Sequence, residues 1–158
     1  MNPHRILIVE DDVDNGRSLQ EAIGDLGYET ELAATGAGGV EAFRARGADV
    51  VLTDLVLPDI DGIEVMKQIR ALDAGRTPVI LMTAYASVDS SVRAMKEGAY
   101  DYLQKPLDVD DLQAKLGRAL EAARLRKQVE QLNAEVRAGW SVKSWVAESP
   151  AMREVVRQ

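Results

Sequence analysis

The sequence predicts a doubly wound α/β fold: a parallel sheet of five strands covered by helices, with a final helix that outruns its domain. Three observations carry this reading. Short apolar runs alternate with segments of helical period. The runs are apolar at nearly every position rather than at every second one, which suits strands covered on both faces. The acidic residues Glu10, Asp11 and Asp54 fall where two such runs end, and ligand sites of open parallel sheets lie beyond the carboxyl ends of the strands.

The first strand is expected over 6–9 and ends in Glu10-Asp11-Asp12, with a helix following near 14–26. A weaker apolar run at 28–33 precedes a helix near 36–46, and the run at 50–53 ends in Asp54. Pro58-Asp59-Ile60-Asp61-Gly62 reads as a turn before a helix over 62–72. Pro78 stops a helix and opens the strand at 79–83, which leads to a helix over 86–97 and a last, weaker strand at 100–103. Gly27, Gly47 and Gly98 stand just past three of these helices, where a left-handed C-terminal residue is wanted. Lys105-Pro106 follows the final strand, so strand ends bring carboxylates, the hydroxyl of Thr83 and one ammonium group to a common edge.

From Asp108 the helical pattern runs through Leu112, Leu116 and Leu120 and on to Gly139, so the helix is expected to project beyond the body. Leu125, Val129, Leu132 and Val136 follow a 4-3-4 spacing, the seam of a coiled coil that would join two copies in a homodimer, although the same stripe equally suits a helix that packs back on the body. Residues 140–145 read as a connector and 148–156 as the start of a new helix, which makes the chain look truncated. Three parts result: a domain over 4–122, a helical linker over 123–139, and a connector with the start of another domain over 140–158.

Composition narrows the chemistry. A hydrophobic content of 46% in 158 residues supports a sizeable core, and no apolar stretch approaches the roughly 20 residues that span a bilayer. A cytoplasmic protein without membrane contact is expected. With no cysteine and only His4, thiolate sites and zinc cages are excluded, so any metal should be bound by oxygen. Residues 1–121 carry 22 acidic and 12 basic side chains, whereas 122–158 carry 4 and 7. An acidic body repels nucleic-acid phosphates and the tail's surplus is scattered, so no direct nucleic-acid contact is expected. Acidic groups crowded at strand ends repel one another unless a cation sits among them, which makes Asp54 a candidate for chemistry.

Other features have plainer readings. Asp12 and Asp14 suit a helix N-terminus, and Met66, Met82 and Met95 suit a core. Tyr102 is equally a half-buried edge-strand aromatic or a switching residue. Gly36-Ala37-Gly38-Gly39 lacks the Lys-Ser/Thr ending of a phosphate loop and opens on the wrong helix.

Taken together, Ile8-Val9-Glu10-Asp11-Asp12, Thr53-Asp54-Leu55 with Pro58 and Asp61-Gly62, Thr83-Ala84 and Lys105-Pro106 make residues 4–122 resemble the CheY-like receiver domain of bacterial two-component response regulators. Residues 82–85 and 94–103 look like the NtrC-type, sigma-54-dependent subfamily. Residues 148–155 are similar to the start of its AAA+ domain. The resemblance implies a flavodoxin-like sheet in order 2-1-3-4-5. It implies that Asp54 accepts a phosphoryl group from a sensor histidine kinase, with Mg2+ held by Asp11, Asp54, the Val56 backbone carbonyl and, through water, Glu10. Lys105 and Thr83 would contact phosphoryl oxygens, and Thr83 and Tyr102 would form the switch. Val56 and Tyr85 would flank the path of the water that removes the phosphoryl group. A homodimer through Leu125, Val129, Leu132 and Val136 would control the attached AAA+ domain, and the receiver itself would be no enzyme beyond its own phosphorylation and dephosphorylation. Leu107 departs from the family in standing where many relatives have Phe, as does the polar, flexible Asn15-Gly16.

Two other classes compete. A haloacid-dehalogenase-type phosphotransfer enzyme also uses a strand-end Asp with Mg2+, but wants Asp-x-Asp where this chain has Asp54-Leu55-Val56. A receiver-shaped interaction module that is never phosphorylated would not need every reactive position filled.

Overall fold

The computed structural model describes residues 3–84 and 88–147. Strands β1 (Arg5–Val9), β2 (Glu29–Ala33), β3 (Val50–Asp54), β4 (Val79–Thr83) and β5 (Asp101–Gln104) alternate with helices α1 (Val13–Asp25), α2 (Gly36–Arg46), α3 (Gly62–Asp73), α4 (Val88–Lys96) and α5 (Val109–Ala147). All strand pairs are parallel, in the order β2-β1-β3-β4-β5. The implied five-stranded, doubly wound sheet is the one observed.

Each strand sends alternate residues to opposite faces. On one face Ile6, Ile8, Leu52, Ile80, Met82 and Leu103 pack against Leu19 and Ile23 of α1 and Leu112, Leu116 and Leu120 of α5. On the other, Leu7, Val9, Val51, Val79 and Leu81 pack against Val40 and Phe43 of α2, Ile63, Met66 and Ile69 of α3, and Ala94 of α4. Fully burying a Leu or Ile stabilises by roughly 1.5–3 kcal/mol, and this two-sided core fixes the register that sets the strand ends side by side.

The helix boundaries have local causes. Asp12 caps α1 by accepting from the Asn15 N–H at 3.0 Å, and Asp61 caps α3 by accepting from Glu64 N–H at 2.8 Å. Gly27, Gly47 and Gly98 take positive φ of 97°, 69° and 115°, as their places after helices require.

Met1–Ala123 form one compact unit and Arg124–Gln158 a second. One expectation is corrected: the helix does not end at Gly139, because α5 runs through Ala147 and residues 140–145, read as a connector, are helical. A glycine inside a helix costs only about 1 kcal/mol relative to alanine, so Gly139 does not end it, and no proline lies between Pro106 and Pro150. The suggested helix over 148–156 lies outside the described residues.

Candidate functional site

The site is assembled by sheet register. β1 and β3 are neighbours with Val9 opposite Thr53, so Glu10 emerges beside Asp54 at the carboxyl edge. β4 flanks β3 on the other side and ends in Thr83, and the chain after β5 brings Lys105 to the same edge. The Lys105 backbone N–H donates to the Thr83 carbonyl at 2.8 Å, which extends the β4–β5 ladder to the lysine itself.

Lys105 Nζ lies 2.6 Å from Glu10 Oε1 and 2.9 Å from Asp54 Oδ2. The second Glu10 oxygen accepts from the Asp12 N–H at 3.1 Å, while Asp54 Oδ1 receives a longer bond of 3.4 Å from the Val56 N–H. Glu10, Asp54 and Thr83 are buried, with 2%, 8% and 4% of their surface exposed, whereas Asp11 is open to solvent. Burial pushes the Glu10 carboxyl above the ordinary range, since it penalises the charged form more than Lys105 and the Asp12 N–H favour it. Burial works the other way on the Lys105 ammonium, but the carboxylates of Glu10 and Asp54 outweigh it and raise its pKa.

Glu10, Asp11 and Asp54 each offer an oxygen within 4.8 Å of the others. Three carboxylates against one ammonium leave an excess of negative charge, and the donors are all hard oxygens. That donor set fits a small divalent cation such as Mg2+, which favours carboxylates and retains water. It does not suit a soft transition metal.

Val56 follows Asp54 in the loop after β3, with its side chain 64% exposed. Tyr102 lies on the edge strand opposite Leu81, half-buried against the core of the second face. Its backbone carbonyl accepts from Lys115 Nζ at 2.8 Å. Leu125, Val129, Leu132 and Val136 of α5 are 47–59% exposed. Tyr85 lies outside the described residues. Sequence reasoning missed the role of Asp59, which looked like an ordinary turn residue. Its carboxylate accepts from both the Gly36 and Ala37 N–H groups at 2.8 Å, across more than 20 residues of chain. No local pattern announces such a bond.

Comparison with known proteins agrees with this geometry. Residues 6–117 match the response regulator receiver domain family. The chain belongs to that family. A receiver is a regulatory rather than a catalytic domain, and the dehalogenase-type alternative falls away. Among curated relatives, the Escherichia coli K12 regulatory protein AtoC is 38% identical over 154 residues, covering 98% of this chain and 33% of the relative. The Klebsiella oxytoca transcriptional regulatory protein ZraR is 40% identical over 151 residues, covering 96% and 33%. The DNA-binding transcriptional regulator NtrC of Escherichia coli K12 is 33% identical over 152 residues, covering 96% and 31%. The chain thus spans about a third of the length of these relatives. In three dimensions it resembles a CheY-like receiver domain protein from Methanospirillum hungatei JF-1, with a TM-score of 0.74 and 33% identity, covering 79% of this chain and 99% of that one. NtrX from Brucella abortus gives a TM-score of 0.76 at 29% identity, covering 82% and 29%. Among the described residues, no helix is long and apolar enough to cross a membrane.

Proposed function

We propose that this chain is the phosphorylation switch of a two-component system, with Asp54 as the phosphoacceptor. The observation that carries this reading is the meeting of Glu10, Asp11, Asp54 and Lys105 at one strand edge, although they are spread over 95 residues of sequence. In the reaction an Asp54 carboxylate oxygen attacks the phosphorus of a histidine kinase's phosphohistidine. A new O–P bond forms as the N–P bond breaks, and the imidazole leaves with the electron pair. Asp11, Asp54 and the Val56 carbonyl would hold Mg2+, with Glu10 acting through water; bound there, the ion neutralises charge on the phosphoryl oxygens. Lys105 already touches Asp54 and can pass to a phosphoryl oxygen, while the buried Thr83 hydroxyl stands on the neighbouring strand end.

Phosphorylation would then bias a two-state equilibrium in which Thr83 and Tyr102 change partners and the surface of α4 and β5 re-forms. The exposed apolar stripe of Leu125, Val129, Leu132 and Val136 supports a homodimer through α5. Through that dimer the receiver would govern an AAA+ domain that activates sigma-54 transcription in the cytoplasm, without itself touching nucleic acid. Incubation with acetyl phosphate and Mg2+ tests the site assignment: the wild-type chain should gain one phosphoryl group by mass and Asp54→Asn none. Undiminished labelling of the mutant would sink it.

A further inference from the structure

The loop that carries Val56 is fastened to a helix whose glycines otherwise have no explanation. Residues 55–61 join β3 to α3. At the start of the loop the Leu55 N–H donates to the Met82 carbonyl at 2.8 Å, and at its end the Gly62 N–H donates back to the Leu55 carbonyl at 2.9 Å. Between these anchors, Leu57 and Ile60 pack against the core of the second face, while Val56, Pro58 and Asp59 are exposed. Asp59 gives the middle of the loop its polar attachment. Its two oxygens take the Gly36 and Ala37 N–H groups, and Thr35 Oγ1 takes the Gly38 N–H at 2.9 Å, so the first three N–H groups of α2 all have acceptors.

The Gly36-Ala37-Gly38-Gly39 run is the seat for this attachment. A Cβ at position 36 would overlap Ile60 and lie 3.0 Å from Val65 Cγ2; one at position 39 would lie 2.6 Å from Val9 Cγ2. Side chains there would push α2 off both the loop after Asp54 and the end of the strand that leads to Glu10. The seat therefore touches the loop that follows Asp54, at Ile60, and the strand residue that precedes Glu10, at Val9. The N–H groups of Ala37, Gly36 and Ile60 hold the Asp59 carboxyl at about 2, so the clasp is ionised at neutral pH.

We propose that Asp59, seated with Ile60 on the glycine-lined N-terminus of α2, is a positioning residue that keeps the Val56 backbone in one conformation beside Asp54. This rests on the reading of Asp54 and its neighbours as a cation and phosphoryl site. Releasing the clasp leaves the packing of Leu57 and Ile60 and the long 3.4 Å bond from the Val56 N–H to Asp54 Oδ1 to hold the loop between Leu55 and Asp61, so the Val56 carbonyl samples more orientations. A cation that uses that carbonyl must then order the loop when it binds.

The test is Mg2+ binding by calorimetry on the full chain, comparing wild type with Asp59→Ala, Asp59→Asn and Asp25→Ala, the last removing an acidic charge without touching the clasp. Thermal unfolding and the rate of labelling by acetyl phosphate at saturating Mg2+ are read in parallel. Asp59→Ala should weaken Mg2+ binding about tenfold, at the lower end of effects seen when support for metal ligands is removed. Asp59→Asn, which keeps one acceptor oxygen, should fall in between, and Asp25→Ala should match wild type. Labelling at saturating Mg2+ should return to within about twofold of wild type, because the ordered loop is the same once the ion is bound. A lower melting temperature with unchanged Mg2+ affinity in both Asp59 variants overturns the proposal, since the clasp is then structural only. If Asp54→Asn binds Mg2+ as tightly as wild type, the functional reading has failed and this inference falls with it. Loss in Asp54→Asn without loss at Asp59 overturns the clasp alone.

Discussion

Replacing Lys105 with Met removes an ammonium group while keeping the length of the side chain, and it isolates what holds the acidic edge together. Glu10 and Asp54 are both buried, and each loses a contact of under 3 Å to Nζ. Their oxygens lie within 4.8 Å of each other, where two like charges repel by about 3.5 kcal/mol at an effective dielectric of about 20. Proton uptake limits that cost, because burial already favours the neutral form of Glu10. The net loss expected near neutral pH is therefore about 2–3 kcal/mol, below the 3–5 kcal/mol typical of breaking a fully buried pair. Urea denaturation with and without Mg2+ is the assay. The mutant should be destabilised most at the alkaline end of the range, recover as the pH falls and Glu10 takes up a proton, and recover most of the loss when Mg2+ is added. Equal stability of mutant and wild type in the absence of Mg2+ would refute the reasoning, as would a loss that Mg2+ leaves untouched.

Asp59 has a folded-state pKa of about 2, below its ordinary 3.8, so its stabilising effect is fully present above 3.8 and is lost as pH falls through about 2. The gap between the urea midpoints of wild type and Asp59→Asn should be constant from neutral pH down to about 5 and close towards pH 2; a gap independent of pH would contradict the clasp geometry. Each seam residue of α5 is about half exposed, so burying it against a partner is worth about 1 kcal/mol. Ending the chain at Ala122 should accordingly give a monomer where the full chain dimerises, and identical concentration-dependent masses by sedimentation would place the dimer elsewhere. Val56 offers no group to orient water, so Val56→Asn combined with Tyr85→Glu should speed loss of the phosphoryl group by about tenfold; an unchanged or slower decay would show that these side chains do not set the lifetime.

How much could be read from the sequence depended on where each element sits. β1, β3 and β4 occupy the middle of the sheet and are buried almost throughout, so their apolar runs are unbroken. β2 and β5 are the edges, with Thr30, Glu31 and Gln104 among their residues, and their weaker signal follows from having less to bury. Glu10, Asp54, Thr83 and Lys105 were legible because each immediately ends or follows a recognisable strand. Asp59 was not, because its partners belong to a helix 22 and 23 residues away in sequence that only the tertiary fold brings beside its loop. The end of α5 was misjudged for a related reason: a single glycine is a weak stop when proline and capping side chains are absent. Leu112, Leu116 and Leu120 are buried while Leu125, Val129, Leu132 and Val136 are exposed, so one apolar stripe in the sequence divides into a buried part and an exposed part.

Chemical trapping puts the sharpest question to the site. After incubation with acetyl phosphate and Mg2+, borohydride reduces an acyl phosphate to an alcohol, which converts a phosphorylated aspartate into homoserine and marks its position permanently. Peptide mass mapping should then find homoserine at position 54 alone, dependent on Mg2+ and absent when Mg2+ is chelated. Homoserine at Asp11 or another carboxylate, or none anywhere in a folded wild-type chain, would contradict the assignment of Asp54 as the phosphoacceptor.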